Sequence, residues 1–421
     1  MSAQIDMGTV MNPRQERLQA AVRLETPDQV PIVLNAMFWV GRHYGGLNCR
    51  ESMFDYLRVT DAWRRALHEL QPDAYMSPFD ALAIGPPLEA LGLRGLRWPG
   101  NGAGEDSPYQ YLDQEFMQAG EYDEYLLDPT GFMLRRYLPR VASAYEGLDQ
   151  IPVSAGTVYL GLVHSAAHYA RPEVLRAFER LAAAGRVAED WLGHMLPFVG
   201  EMAAAGFLPD FGVVAHAPYD YFADFMRGSK QAMLDLRRRP EKLLAAMDRM
   251  LAIHERTILE AAGHTPCRTV FIPLHWGLDG FMSAAQFQKF FWPPLRELIV
   301  RLIGHGLTPL VLWEGDCTTR LELIGDIPRG KAIYAFERTN LELASRVLSG
   351  TVCLRGNVPA SMFISGTPGE VADCCRRLID TVGRDGGFIM DGGSGIPNEA
   401  RADCVRAMFE TTRSHGVYRR G

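Results

Sequence analysis

Leu307-Thr-Pro-Leu-Val-Leu-Trp-Glu-Gly-Asp-Cys317 is the stretch whose reading decides the fold. A short run rich in Leu and Val has the composition of a strand buried on both faces, as in parallel sheets covered by helices. The run stops at Trp313, and Glu314, Asp316 and Cys317 follow at once. Ionisable groups at the C-terminal end of a parallel strand are where such folds keep their chemistry. The stretch therefore predicts a strand over 308–313 that feeds a catalytic rim, serving either a metal or acid–base chemistry.

Outward from it the same alternation recurs. Short apolar runs predict strands at 31–35, 73–78, 210–214, 269–274, 332–336, 351–354 and 387–390, eight with the first. Helical spacing of apolar residues predicts helices over 13–24, 51–70, 244–262, 286–303, 341–348 and 368–382. Eight strands alternating with helices predict an α/β fold, a (β/α)8 TIM barrel formed by 1–421 as a single unit. The region 82–207 breaks the pattern with Gly/Pro-rich turns, the acidic segment Glu121-Tyr-Asp-Glu124 and two helical stretches, 172–184 and 188–205. It reads as a large insertion after strand 2, part hairpin and part helix; without it the chain is close to the roughly 250 residues typical of the fold.

Composition narrows the function. A net charge of −7 and no stripe of Lys and Arg among aromatics exclude a nucleic-acid binder; Arg237 to Arg239 read as a solvated helix junction. Seven cysteines, odd in number and without a Cys-x-x-Cys pair, form neither a disulfide framework nor a zinc-finger pattern. No run approaches the 18 or so apolar residues of a membrane span, and 1–12 lacks a signal pattern. The expectation is a cytoplasmic protein with no membrane partner.

Placed on a barrel, the strand ends gather Asp80, then His216 and Asp220, then His275 and Trp276, then Glu314, Asp316 and Cys317. Glu337, Arg338, Arg355, Asn357 and Asp391 follow from the last three strands. Glu314 and Asp316, two apart on an extended chain, point the same way, to a metal or to a shared proton; pairing with Arg338 or Arg355 is the structural alternative. Cys317 is a soft ligand or a small rim residue. His275 suits a ligand, a general acid or a hydrogen-bond donor, and His216 and Asp220 suit function or the capping of the next helix.

Five segments carry a resemblance: Arg17-Leu-Gln-Ala-Ala-Val-Arg-Leu-Glu-Thr-Pro-Asp-Gln-Val-Pro31, Ser77-Pro-Phe-Asp-Ala-Leu-Ala-Ile84, Gly356-Asn-Val-Pro359, Gly366-Thr-Pro-Gly-Glu-Val371 and Gly387-Phe-Ile-Met-Asp-Gly-Gly-Ser-Gly-Ile396. Together they resemble the uroporphyrinogen decarboxylase superfamily, which implies a (β/α)8 barrel. That superfamily holds porphyrinogen decarboxylases and corrinoid-linked methyltransferases with a zinc-bound thiol. Asp80 matches the carboxylate that contacts pyrrole nitrogens in the decarboxylases, and Arg42 matches the arginine of their first-strand motif. Their preceding Arg-Gln falls on Phe38-Trp39 and their closing His on Ser394. The methyltransferases' zinc ligands fall on Glu314, Asp316 and Ser394, with Cys317 adjacent. An oxygen-rich set argues against thiol-activating zinc.

The resemblance and the rim together imply a methyltransferase that moves a methyl group between a small methoxylated or aromatic substrate and a corrinoid (cobalamin) on a partner protein. Glu314, His275, Asp80 and Asp391 are its expected catalytic groups. Arg42, Trp39, His216, Trp276, Trp313 and Asn357 are expected to bind substrate, with Phe281 adding apolar surface. Glu314, Asp316 and Cys317 are the metal alternative, zinc included. A metal-free decarboxylase or lyase using Asp80 and Arg42 is the second reading, and a non-catalytic corrinoid- or tetrapyrrole-binding module the third. Self-association as a homo-oligomer stays open.

Overall fold

The structure, a computed structural model, describes residues 12–152 and 158–418. Thr308–Trp313 is a strand, as its composition predicts, and lies between Thr269–Leu274 and Ile333–Phe336. Val213–Val214 extends this sheet on one side, Cys353–Arg355 and Phe388–Ile389 on the other, and every neighbour is parallel. Parallel neighbours require crossovers, supplied by helices such as Trp292–Gly304, Leu341–Leu348 and Pro368–Thr381. A second parallel sheet joins Val33–Leu34, Ala74–Tyr75 and Leu208–Pro209. The architecture is thus mixed α/β with parallel sheets.

The two sheets meet at both ends. Asp210 N donates to Tyr75 O while Gly212 N donates to Thr269 O, so one short segment pairs with both sheets. At the other end Met390 N donates to Pro31 O and Val33 N to Met390 O. The strand expected at 210–214 is therefore split into Leu208–Pro209 and Val213–Val214, because its two edges serve different neighbours.

Alternation along the strands separates two cores. Leu310 and Leu312 join Val33, Ala74, Ile333, Ala335, Cys353 and Ile389 in an inner cluster against which Leu18 and Val22 of helix Pro13–Val22 pack. Val311 and Trp313 face the helices in the outer cluster. The buried Arg355 side chain lies across the sheet ends, within 2.7 Å of Asp210 and 2.7 Å of Asp391.

Between the second and third strands, Leu96–Pro99 pairs antiparallel with Gln110–Tyr111, and further on Pro172–Ala204 is one unbroken helix of 33 residues. The two helices expected at 172–184 and 188–205 are thus a single one. A glycine such as Gly185 costs a helix interior only about 1 kcal/mol, which the surrounding alanines and the packed face around Val174, Ala177 and Ala184 outweigh. The helix expected at 51–70 is instead two, because Asp55 ends Cys49–Phe54 and its side chain accepts from Arg58 N to start Tyr56–Leu70. Buried Arg227 locks the intervening region to the helix Ser229–Arg238. Its guanidinium meets Asp235 of that helix at 2.7 Å and also reaches Glu115 and the Met117 carbonyl. Among the described residues no helix is long and apolar enough to cross a membrane.

Candidate active site

His275 follows Leu274, which faces the outer core, so alternation turns the imidazole toward the interior. Two carboxylates from the chain after the third strand meet it. Pro218–Asp220 begins a helix that continues as a wider π-helical turn, Tyr221–Met226, a distortion that recurs at functional sites. Asp220 is fully buried and accepts from the backbone N–H groups of His275, at 2.8 Å, and Trp276, at 3.3 Å. Asp224 binds both neighbouring rings, with His275 Nδ1 at 2.7 Å and Trp276 Nε1 at 2.6 Å. The free edge of the imidazole, Nε2, faces Glu314 Oε1 at 3.6 Å.

This arrangement sets the charges. Burial works against a charged His275, but hydrogen bonding to Asp224, then Glu314, and the nearby Asp220 outweigh it and raise its pKa to about 11. At neutral pH His275 is therefore an imidazolium with one N–H fixed on Asp224 and the other directed at Glu314. Burial first, and the charge of Asp224 second, push Asp220 well above the usual carboxylate range. His216 lies beside the site in the opposite state. Burial lowers it to about 4, its ring packs on Phe225, and its backbone N–H donates to His254 Nε2 at 3.0 Å.

After Glu314 the chain leaves the strand. Gly315 has φ of 76°, which ends the extended alternation and turns Asp316 away from Glu314. Glu337 accepts from Gly315 N at 2.7 Å and fixes the turn. The Asp316 carboxylate instead caps its own loop, accepting from Thr318 N at 3.0 Å and Thr318 Oγ1 at 2.6 Å. Cys317 is buried, and burial together with Asp279 and Asp316 drives its thiol far above the ordinary range, away from the thiolate that binds metal. The expected convergence of Glu314, Asp316 and Cys317 does not occur. Among the described residues no group of three His, Cys, Asp or Glu side chains is gathered to hold a metal ion.

Other expected residues fall in varied places. Trp276 and the half-exposed Phe281 lie at the rim, ring centroids 5.0 Å apart. Asn357 braces the rim by donating to Thr339 O at 2.9 Å. Trp39 and Trp313 are corrected to core residues: Trp39 is 1% exposed with its indole N–H on Ala400 O, and Trp313 is 0% exposed between outer-core rings. Arg42 is partly exposed and pairs with Asp106 at 2.5 Å. Asp391 is held by Arg355; burial raises it to about 6 against that pull, leaving it ionised at neutral pH. Asp80 sits in the helix Pro78–Ala81, and its side chain lies outside the described residues. Sequence reasoning missed Asp224, although Asp220 and Asp224 stand at the i, i+4 spacing that puts two carboxylates on one helix face.

Comparison with known proteins bears on the family and the fold. A family model described as Uroporphyrinogen decarboxylase (URO-D) matches residues 200–415. That span holds His275, Glu314, Asp220 and Asp224. Among solved structures, a methyltransferase from Methanosarcina mazei is similar with a TM-score of 0.57 and 14% identity, over 96% of this chain and 99% of that one. At that identity the likeness speaks for the fold alone. No curated protein matches the chain in sequence.

Proposed function

The chain belongs to the uroporphyrinogen decarboxylase family, and from that premise we propose that it is a methyltransferase moving a methyl group from a small methoxylated substrate to a corrinoid on a partner protein. The same reading takes the two joined parallel sheets as a (β/α)8 barrel, with 82–207 inserted between its second and third strands. The shared segment at 208–214 and the hydrogen bonds between Pro31, Val33 and Met390 support it.

One observation carries the functional reading: the Asp224–His275–Glu314 array, with the imidazolium N–H at Nε2 turned toward the interior. When a methyl group leaves an ether, the oxygen keeps the bonding pair and needs a proton. His275 donates from Nε2, Asp224 holds the ring in orientation and stabilises its charge before the transfer, Glu314 receives the Nε2 proton's hydrogen bond until the substrate oxygen takes it, and solvent water returns the proton to the ring. A corrinoid, when bound, supplies the methyl-accepting centre. Trp276 and Phe281 present aromatic surface at the rim that fits a flat macrocycle or an aromatic substrate. Zinc does not fit: Asp316 is spent on its own loop and Cys317 is held as a buried thiol, so no step is assigned to it.

Decarboxylation of a polycarboxylate is favoured less because such a substrate requires free arginine forks. Arg42 is paired with Asp106, and Arg355 with Asp210 and Asp391. The test is to mix the purified protein with cob(I)alamin and a panel of methoxyarenes and follow methylation of the cobalamin by absorbance. Transfer with at least one methoxyarene is expected, and His275→Asn should slow it by about 100- to 10,000-fold. Absence of transfer across the panel would sink the proposal.

A further inference from the structure

Charge is unevenly matched in the site. His275 stands between two carboxylates, Asp224 at 2.7 Å and Glu314 at 3.6 Å. Arg355 is likewise shared by two, Asp210 and Asp391, each at 2.7 Å. Each cluster holds one carboxylate more than it holds cations, and a neutral imidazole would only widen the difference. Arg42, Arg320 and Arg338, each in a segment that follows a strand, do not offset it. Arg42 is matched by Asp106 and Arg320 by Asp279, while Arg338 stands beside Glu337 with its side chain 75% exposed.

Glu314 is the open member. Its side chain is 38% exposed, and apart from His275 it makes no polar contact with a described residue. The loop after His275 is tied to the turn that carries it: Asp279 N donates to Asp316 O at 3.0 Å, and Leu278 packs on Gly315. That loop brings Trp276, its indole fixed on Asp224, and the half-exposed Phe281. A carboxylate with an oxygen to spare beside aromatic rings takes up an ammonium group, by charge and by cation–π attraction.

We infer that the methoxylated substrate is a cation, an aryl methyl ether bearing a protonated amine, with the ammonium held between Glu314 and the rings of Trp276 and Phe281. This deepens the methyl-transfer reading and rests on it. The ether oxygen lies at His275 Nε2 and the ammonium on Glu314 Oε2, so the histidine and its neighbour fix the two ends of the substrate. A carboxylate in the place of the amine meets a like charge and no arginine to receive it.

Three probes of one shape separate the charges: 3-methoxybenzylamine, 3-methoxybenzyl alcohol and 3-methoxybenzoate, each mixed with the purified full chain and cob(I)alamin at neutral pH. From cobalamin methylation followed by absorbance, kcat/KM should be roughly 10-fold higher for the amine than for the alcohol, and lowest for the acid. High salt should shrink the advantage of the amine. Glu314→Gln should bring amine and alcohol to within about 2-fold of each other, whatever it does to the overall rate. Equal rates from all three, the fastest rate from the acid, or a preference that survives Glu314→Gln overturns this inference and leaves methyl transfer standing. So does transfer from other methoxyarenes but from none of these three. No transfer from any methoxyarene removes the reading beneath it and the inference together. If the variant fails to fold, the salt series on the unaltered protein decides, and a preference indifferent to salt overturns the inference.

Discussion

Asp224 orients His275, keeps it charged and binds Trp276 with its second oxygen. Asp224→Asn should therefore act through the histidine: the pKa of His275 falls from about 11, and the proposed methyl transfer slows by roughly 10- to 100-fold with little change in substrate affinity. The readout is the imidazole carbon-bound proton signal in NMR. In the unaltered protein it should stay at its protonated position from about pH 6 to pH 9, well above the ordinary histidine value near 6.5. By linkage, a histidine raised in the folded state stabilises it fully below its unfolded pKa, and the contribution fades as pH rises through about 11. A signal that titrates near 6.5 would refute the charged state. His275 and Glu314 were legible in the sequence because each directly follows an apolar strand. Asp224 was not, because its part in the site depends on how a helix from another strand is aimed.

At the scale of elements, the strands Thr269–Leu274 and Thr308–Trp313 have the bounds their composition predicts, since buried parallel strands write themselves as unbroken apolar runs. Turns after strands are less legible. Nothing in Glu314-Gly-Asp316 announces that φ at Gly315 is 76°, and it is this angle that separates the two carboxylates. Gly315→Ala should cost about 1–2 kcal/mol from the left-handed backbone alone. A Cβ there would also stand 2.8 Å from Leu278 Cδ1, so a stability loss in urea unfolding should come with slowed turnover as Glu314 shifts. The Arg227 cluster makes a second prediction. Asp235→Ala leaves the guanidinium buried without its 2.7 Å partner and Tyr122 without its 2.9 Å acceptor. Breaking a buried pair in this way costs about 3–5 kcal/mol, measurable by urea unfolding. Equal stability would show that the cluster is not what fastens Glu115, Met117 and Tyr122 to the helix Ser229–Arg238.

For the molecule as a whole, alternating parallel α/β order could be read from the sequence because each crossover carries its own helical period. The meeting of the two sheets could not, since it rests on bonds between Pro31, Val33 and Met390 that no local pattern records. Half-buried His216 and His254, both lowered to about 4 by desolvation, give the fold an acid limit. The unfolded chain takes up protons below about 6.5 that the folded chain refuses, so stability should fall as pH drops from there toward 4. In thermal melts, His254→Gln, which keeps an acceptor for His216 N, should flatten this slope by about one proton.

Arg355 closes a circuit between residues far apart in the chain, with Asp210 on one side and Asp391 on the other. During synthesis, Asp210 leaves the ribosome long before the arginine that neutralises it, and Arg355 in turn waits for Asp391. Contacts of such long separation form late. The nascent chain therefore carries a half-built rim through most of its translation, and a chain released before Asp391 should lack the bridge by which Arg355 joins Asp210 to Asp391.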